Sequence, residues 1–162
     1  MGVNCIAMTH TWKISFGEAG AETIRTGNDE YYFFQEAISM VSEPAAIYDV
    51  AVSFHDTGEI FDFLDFTQQD VSEMLEVDPS TLSRWRKEDK KLTKMLTKSI
   101  LEMDQVIAKG IRIFGSEELL SQWLHTENTS LGDQKPSLLM KSPYGVDRVD
   151  EAMEAMSWGS IL

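Results

Sequence analysis

Arg84, Arg86, Lys87, Lys90, Lys91, Lys94 and Lys98 fall in one short stretch, "RWRKEDKKLTKMLTK", and make up half of the 14 Lys and Arg in the chain. The chain as a whole is acidic, with 27 Asp and Glu and a net charge of −13. Cations gathered in one place on a chain that repels polyanions elsewhere suit the local neutralisation of phosphates. Spacing sharpens that reading. With Leu82 and Trp85 turned inward, a helix advancing about 100° per residue puts Ser80, Ser83, Arg84 and Lys87 on the opposite side. The small Ser80 and Ser83 allow close approach to base edges, and Arg84 can span guanine O6 and N7 with two hydrogen bonds. Arg86, Lys90, Lys91, Lys94 and Lys98 are placed to reach phosphates, which adds salt-sensitive affinity without sequence information. Gln68 and Gln69, just upstream, can meet the nucleic-acid backbone at a helix N-terminus. The bland alternative for any such run is a solvated lysine face.

Other chemistries find little in the sequence. His10, His55 and His125 are scattered, and no pair has metal-ligand spacing. No glycine-rich phosphate loop occurs; Gly17 and Gly20 merely bracket two residues. The carboxylates read as solvated surface, and His125 reads as a helix-end cap. No catalytic residue, metal or cofactor is therefore assigned, and the chain is expected not to be an enzyme. A lone cysteine, Cys5, gives no internal disulfide and fits a reducing, cytoplasmic setting. No apolar run is long enough to span a membrane, and "MGVNCIAMTHTWK" is a poor secretory signal.

The elements that would position the cations are helical. "NDEYYFFQEAISMVSEP" predicts a helix capped by Asn28 and ended by Pro44. Ile47, Val50, Ala51 and Phe54 predict a second, stopped near Gly58, and Ile60, Phe61 and Leu64 a short third. Thr67 then caps "QQDVSEMLE" with Asp70 three residues on, near a capping box. After a turn at Glu76–Val77, Asp78 caps the cationic helix and Pro79 opens it. This is the helix-turn-helix pattern at about 67–88. Its turn wants a left-handed residue, and only Glu76 is offered, at a cost of roughly 1 kcal/mol. From Leu92 a long amphipathic helix follows, carrying Met95, Leu96, Ile100, Met103, Ile107, Ile111 and Phe114, loosened at Gly110 and ended by Gly115. Ser116 caps the next helix. "HTENTSLGDQKP" is loop, Pro136 opens a short turn of helix, and Ser142 and Pro143 open a last one that stops at Gly159. Residues 1–28, with "TWKISF", read as an extended arm. The fold class is all-α: a helix-turn-helix-containing domain, 29–98, packed with a helical C-terminal domain, 99–162.

The C-terminal segment resembles the toxin-binding domain of Xre/MbcA/ParS-type antitoxins. The matching marks are Phe114-Gly115, Trp123-Leu124, Asn128 with Leu131 and Gly132, Lys135-Pro136, Leu138-Leu139, Gly145 and Gly159, in order and spacing. The resemblance implies a type II antitoxin that dimerises and binds a RES-type toxin consuming NAD, or a related ADP-ribosylating toxin. It also implies repression of its own operon, with operator DNA held by Ser80, Ser83, Arg84, Arg86, Lys87, Lys91 and Lys94. Trp158, Gly159, Ser160, Ile161 and Leu162 are then expected at the toxin, two aliphatic side chains and a carboxylate projecting past the last helix into a partner's pocket. A free-standing transcription regulator whose last helices only dimerise is the alternative.

Overall fold

The computed structural model describes residues 30–35, 38 and 51–159. The predicted arm, the cap at Asn28, most of the first two predicted helices and the tail Ser160, Ile161 and Leu162 lie outside those residues. Among the described residues from Gly58 on, seven α-helices follow one another: α1 Gly58–Phe63, α2 Gln68–Leu75, α3 Pro79–Glu88, α4 Lys94–Phe114, α5 Glu117–Leu124, α6 Pro136–Leu139 and α7 Pro143–Ser157, with a 3-10 turn at Thr129–Leu131 before α6. Among the described residues extended pairing is confined to two isolated bridges, Ser53 with Lys91 and Asn128 with Gln134. The fold is all-α, as its periodicity implied.

Local signals set most of the boundaries. Thr67, Thr93, Ser116 and Ser142 each accept a backbone N–H three residues on, so four helices start on a side-chain cap. Gly115 adopts φ 85° and ends α4 where the sequence placed its end. The spine is α4. Ile100, Met103 and Ile107 on its inner stripe are fully buried, and Ile60, Leu64, Leu82, Leu120, Leu124, Met140, Val149 and Met153 close around them in one continuous core. Burying each such side chain is worth roughly 1.5–3 kcal/mol. Gly110 does not loosen α4. A Cβ there would lie 2.6 Å from a Leu120 methyl and 2.9 Å from the Met153 sulfur, so the glycine lets α5 and α7 approach the spine.

Four expectations are corrected. The second predicted helix does not reach Gly58: Ala51 and Val52 are irregular, Ser53 is a bridge, residues 54–57 are turn, and Gly58 begins α1. The long helix starts at Lys94, not Leu92, because Leu92 N–H donates to the Val52 carbonyl (2.9 Å) and Phe54 N–H to the Lys90 carbonyl (2.8 Å). Asp78 opens α3 through its backbone only, and its side chain makes no cap bond. Glu30 to Phe34 form turns and a bend, and helix begins at Gln35. There the cap comes from far away. Asp104, fully buried on α4, accepts the N–H groups of Tyr32 (3.0 Å), Phe33 (2.8 Å) and Phe34 (3.0 Å). Tyr32 Oη donates to Glu117 at 2.7 Å, and Gln105 donates to Tyr31 Oη at 2.9 Å, so this segment is fastened to both α4 and α5.

Candidate functional site

The two-helix unit is built by its own short-range chemistry. Thr67 N–H and Oγ1 both donate to Asp70 Oδ2, at 2.8 and 2.7 Å, and Asp70 N–H returns to Thr67 Oγ1 at 3.2 Å, a complete capping box. Glu76 ends α2 at φ 54°, ψ 41°, supplying the left-handed residue that the turn requires without a glycine. Ser72 Oγ donates to the Val77 carbonyl and Val77 N–H to the Ser72 carbonyl, which ties the turn to α2. Gln68 reaches over to the Pro79 carbonyl at 3.4 Å, linking the starts of α2 and α3. Leu82 is fully buried, and Trp85 is half-buried with its ring edge-to-face on Phe54, 5.9 Å between centroids.

With those two side chains inward, Ser80, Ser83, Arg84, Arg86 and Lys87 are all exposed on α3. Ser83 Oγ turns back to the Pro79 carbonyl at 3.0 Å. The remaining cations do not continue that helix. Asp89, at φ 47°, ends α3, and the bridge to Ser53 draws Lys91 into the connection before α4. Lys91 and Lys94 are exposed, Lys94 as the first residue of α4. Lys98 pairs with Glu102 at 3.0 Å, which partly neutralises the last cation of the run. The positive stretch is thus spread over α3, a connection and a helix start.

A contact invisible in the sequence joins this unit to the rest. Lys141, in the turn between α6 and α7, forms an ion pair with Asp70. The hydrogen bond from Lys141, helped by that from Thr67, holds the Asp70 carboxyl down at about 2 against an ordinary 3.8.

The C-terminal helices are shaped by tight turns. Asn128 Oδ1 accepts Ser130 N–H at 2.9 Å, its own N–H donates to the Gln134 carbonyl at 3.1 Å, and Gly132 sits at φ 74°. Gly145 packs so closely on the Leu139 backbone that a Cβ would overlap its carbonyl. Phe114 and Trp123 meet in a tilted pair, 38° between planes with centroids 5.4 Å apart, and Leu124 and Leu131 are buried. Trp158 is 82% exposed as α7 ends, and Gly159 follows at φ 77°. Lys109 on α4 bonds Asp150 (2.8 Å) and Glu154 (3.4 Å), locking α7 to the spine. His125 Nδ1 lies 2.7 Å from the Ser121 carbonyl, a helix-end contact as its position implied. Among the described residues no group of three or more His, Cys, Asp or Glu is arranged to hold a metal, and no helix is long and apolar enough to cross a membrane.

Residues 109–159, the same α4-end-to-Gly159 segment, match the family model described as the antitoxin Xre/MbcA/ParS C-terminal toxin-binding domain. Over those residues, about a third of the chain, the sequence is thus similar to the toxin-binding domain of Xre/MbcA/ParS-type antitoxins. A chain in the crystal structure of the M. tuberculosis MbcT–MbcA toxin–antitoxin complex is similar at 17% identity and a TM-score of 0.42, over 75% of this chain and 100% of that one. No curated protein matches.

Proposed function

We propose that this chain is the antitoxin of a type II toxin–antitoxin pair. Its C-terminal domain binds and inhibits a RES-type toxin that consumes NAD, or a related ADP-ribosylating toxin, and its helix-turn-helix represses its own operon. The observation that carries this reading is the toxin-binding-domain match over residues 109–159. The match begins on α4, which follows α3 after the short connection at residues 89–93. The same helix thus leads from a capped pair with exposed Arg84, Arg86 and Lys87 into the matched segment.

The two activities then occupy different parts of the chain, the two-helix unit near its middle and the matched segment at 109–159. Exposed Trp158 and the residues after it form the edge offered to the toxin, with Ile161 and Leu162 occluding its substrate cleft. The antitoxin acts as a homodimer in the cytoplasm, without catalysis of its own. The deciding experiment is co-expression with the adjacent gene, followed by sizing of the complex and a growth-rescue assay. Co-elution and rescue are expected, and Trp158→Ala should weaken both. A chain that elutes alone and leaves the neighbouring product fully toxic would instead be a free-standing regulator.

A further inference from the structure

We propose that residues 89–92 form a fixed ledge beside α3, whose Lys90 and Lys91 grip phosphates flanking the base pairs that α3 meets, with Asp89 as the residue that positions them. The inference rests on the helix-turn-helix reading above and goes beyond it, because the ledge belongs to neither helix of that unit.

The backbone of the ledge is ordered before any ligand arrives. Asp89 turns left-handed at φ 47°, ψ 54°, and its N–H and that of Lys90 both donate to the Trp85 carbonyl, the second at 3.1 Å. That folds the chain back onto the last turn of α3. The Lys90 carbonyl then accepts Phe54 N–H at 2.8 Å, and Leu92 N–H donates to the Val52 carbonyl at 2.9 Å. The support is itself firm. Ser53 N–H donates to Asp56 at 3.1 Å, Thr57 Oγ1 donates to the Phe54 carbonyl at 2.7 Å, and Val52, Ser53, Phe54 and Thr57 are all buried. Because the Phe54 ring also meets Trp85, the ledge and α3 rest on one support. Side chains alternate along an extended segment, so Leu92, which is buried, turns Lys91 the other way, on the side of its bridge partner Ser53. Lys90 and Lys91 are both exposed. A lysine is a point charge suited to a phosphate, and one carried on a fixed backbone loses less freedom on binding than one in a mobile loop. Exposed Glu88 and Asp89 stand next to these lysines and oppose a phosphate, so the pair is useful only where the fold holds it clear of them. Lys90 follows Lys87 by three residues, but the turn at Asp89 takes it off the helix and directs it to phosphates that α3 itself does not reach.

The test titrates the full chain onto the DNA duplex upstream of its own gene at several salt concentrations, as wild type, as the double variant Lys90→Ala with Lys91→Ala, and as Asp89→Asn and Asp89→Val. Phosphate-ethylation interference maps the contacts. Each phosphate contact adds about 0.9 to the slope of log affinity against log salt, so the double variant should lose about two from that slope. It should also lose the interference at the flanking phosphates and keep the base preference of wild type. Asp89→Asn tolerates the left-handed backbone and should keep the slope, whereas Asp89→Val, with both lysines present, should lose at least about one. A variant that is merely less stable loses active protein but not slope, so the slope separates positioning from folding. The double variant changes only surface side chains, so the test stands even where Asp89→Val fails to fold. An unchanged slope in the double variant, or a folded Asp89→Val with the wild-type slope, overturns the ledge while the helix-turn-helix reading stands. A changed base preference in the double variant also overturns it, since the lysines would then lie on base edges. Wild type without affinity for the duplex even at low salt overturns the helix-turn-helix reading itself, and the ledge falls with it.

Discussion

Asp104→Ala should detach the segment at residues 30–34 from the spine. Three backbone N–H groups converge on this one buried carboxylate at 2.8–3.0 Å. A hydrogen bond to a charged acceptor is worth about 1.5–3 kcal/mol, which would sum to about 5–9. Two terms reduce that sum. Ionising a buried carboxylate costs several kcal/mol, and part of the freed backbone can turn to water. A net loss of about 2–4 kcal/mol remains, a large share of the stability of about 5–15 usual for a domain. At about 2–4 °C per kcal/mol, the melting temperature should fall by about 5–15 °C. Asp104→Asn, which keeps one acceptor oxygen, should lose less. Urea unfolding gives the free energy, and hydrogen exchange gives the location: the Tyr32, Phe33 and Phe34 amides should lose protection first. Burial pushes the Asp104 carboxyl above 3.8, against the pull of the three N–H groups. A raised carboxyl pKa means that the native state binds more protons than the unfolded one. Its contribution is full below 3.8 and declines as pH rises through the native value, so the advantage of wild type over Asp104→Asn should shrink over that window. Asp104→Ala within about 0.5 kcal/mol of wild type, with those amides unchanged, would refute the cap.

Asp70 works in the opposite sense: its carboxyl is held down at about 2, so its stabilisation is present above 3.8 and is lost as pH falls from there through about 2. Acid titration of Lys141→Met should show a smaller loss over that window than wild type, because the Asp70 carboxyl then lies nearer 3.8 in the native state. Gly110→Ala adds a methyl 2.6 Å from Leu120, and the overpacking of about 1–3 kcal/mol should outweigh a helix-propensity gain near 1, giving a net loss visible in urea unfolding. On the operator, Arg84→Ala should cost about 1–3 kcal/mol and relax preference at one position, whereas Lys91→Ala should weaken all sequences alike and flatten the salt slope by about one. Equal affinity of wild type and Arg84→Ala in a gel-shift titration would take Arg84 off the reading face.

What was legible in the sequence was whatever a few neighbouring residues decide. Thr67 with Asp70, Ser116, Ser142 with Pro143, and Gly115 announced helix ends that the structure keeps. The exposure of Ser80, Ser83, Arg84 and Lys87 opposite Leu82 followed from a period of 3.6. Partners distant in the chain were not legible. Nothing near Asp104 marks it as the cap of a segment some seventy residues earlier. Lys141 reads as one more surface lysine until α6 and α7 fold it onto Asp70. The same cause misplaced the start of α4. Leu92 fits the apolar stripe of that helix, but its N–H is claimed by Val52, and a local pattern carries no trace of that competitor. The cationic run then looked continuous because charge, unlike backbone geometry, ignores the break at Asp89.

The pairing of residues 52–54 with 90–92 has a kinetic consequence. Those two hydrogen bonds close a loop that holds α1, α2 and α3. Closing a long loop costs chain entropy that grows with the logarithm of its length, so the bonds form after the three helices have packed rather than before. Contacts made after the transition state hardly alter the rate of folding and act on the rate of unfolding. The pairing is therefore a clasp at the base of the two-helix unit: it sets how long the assembled unit lasts, not how fast it is assembled. Weakening the clasp, for instance by substituting Phe54, whose ring also meets Trp85, would shorten the lifetime of the two-helix unit while leaving its refolding rate nearly unchanged.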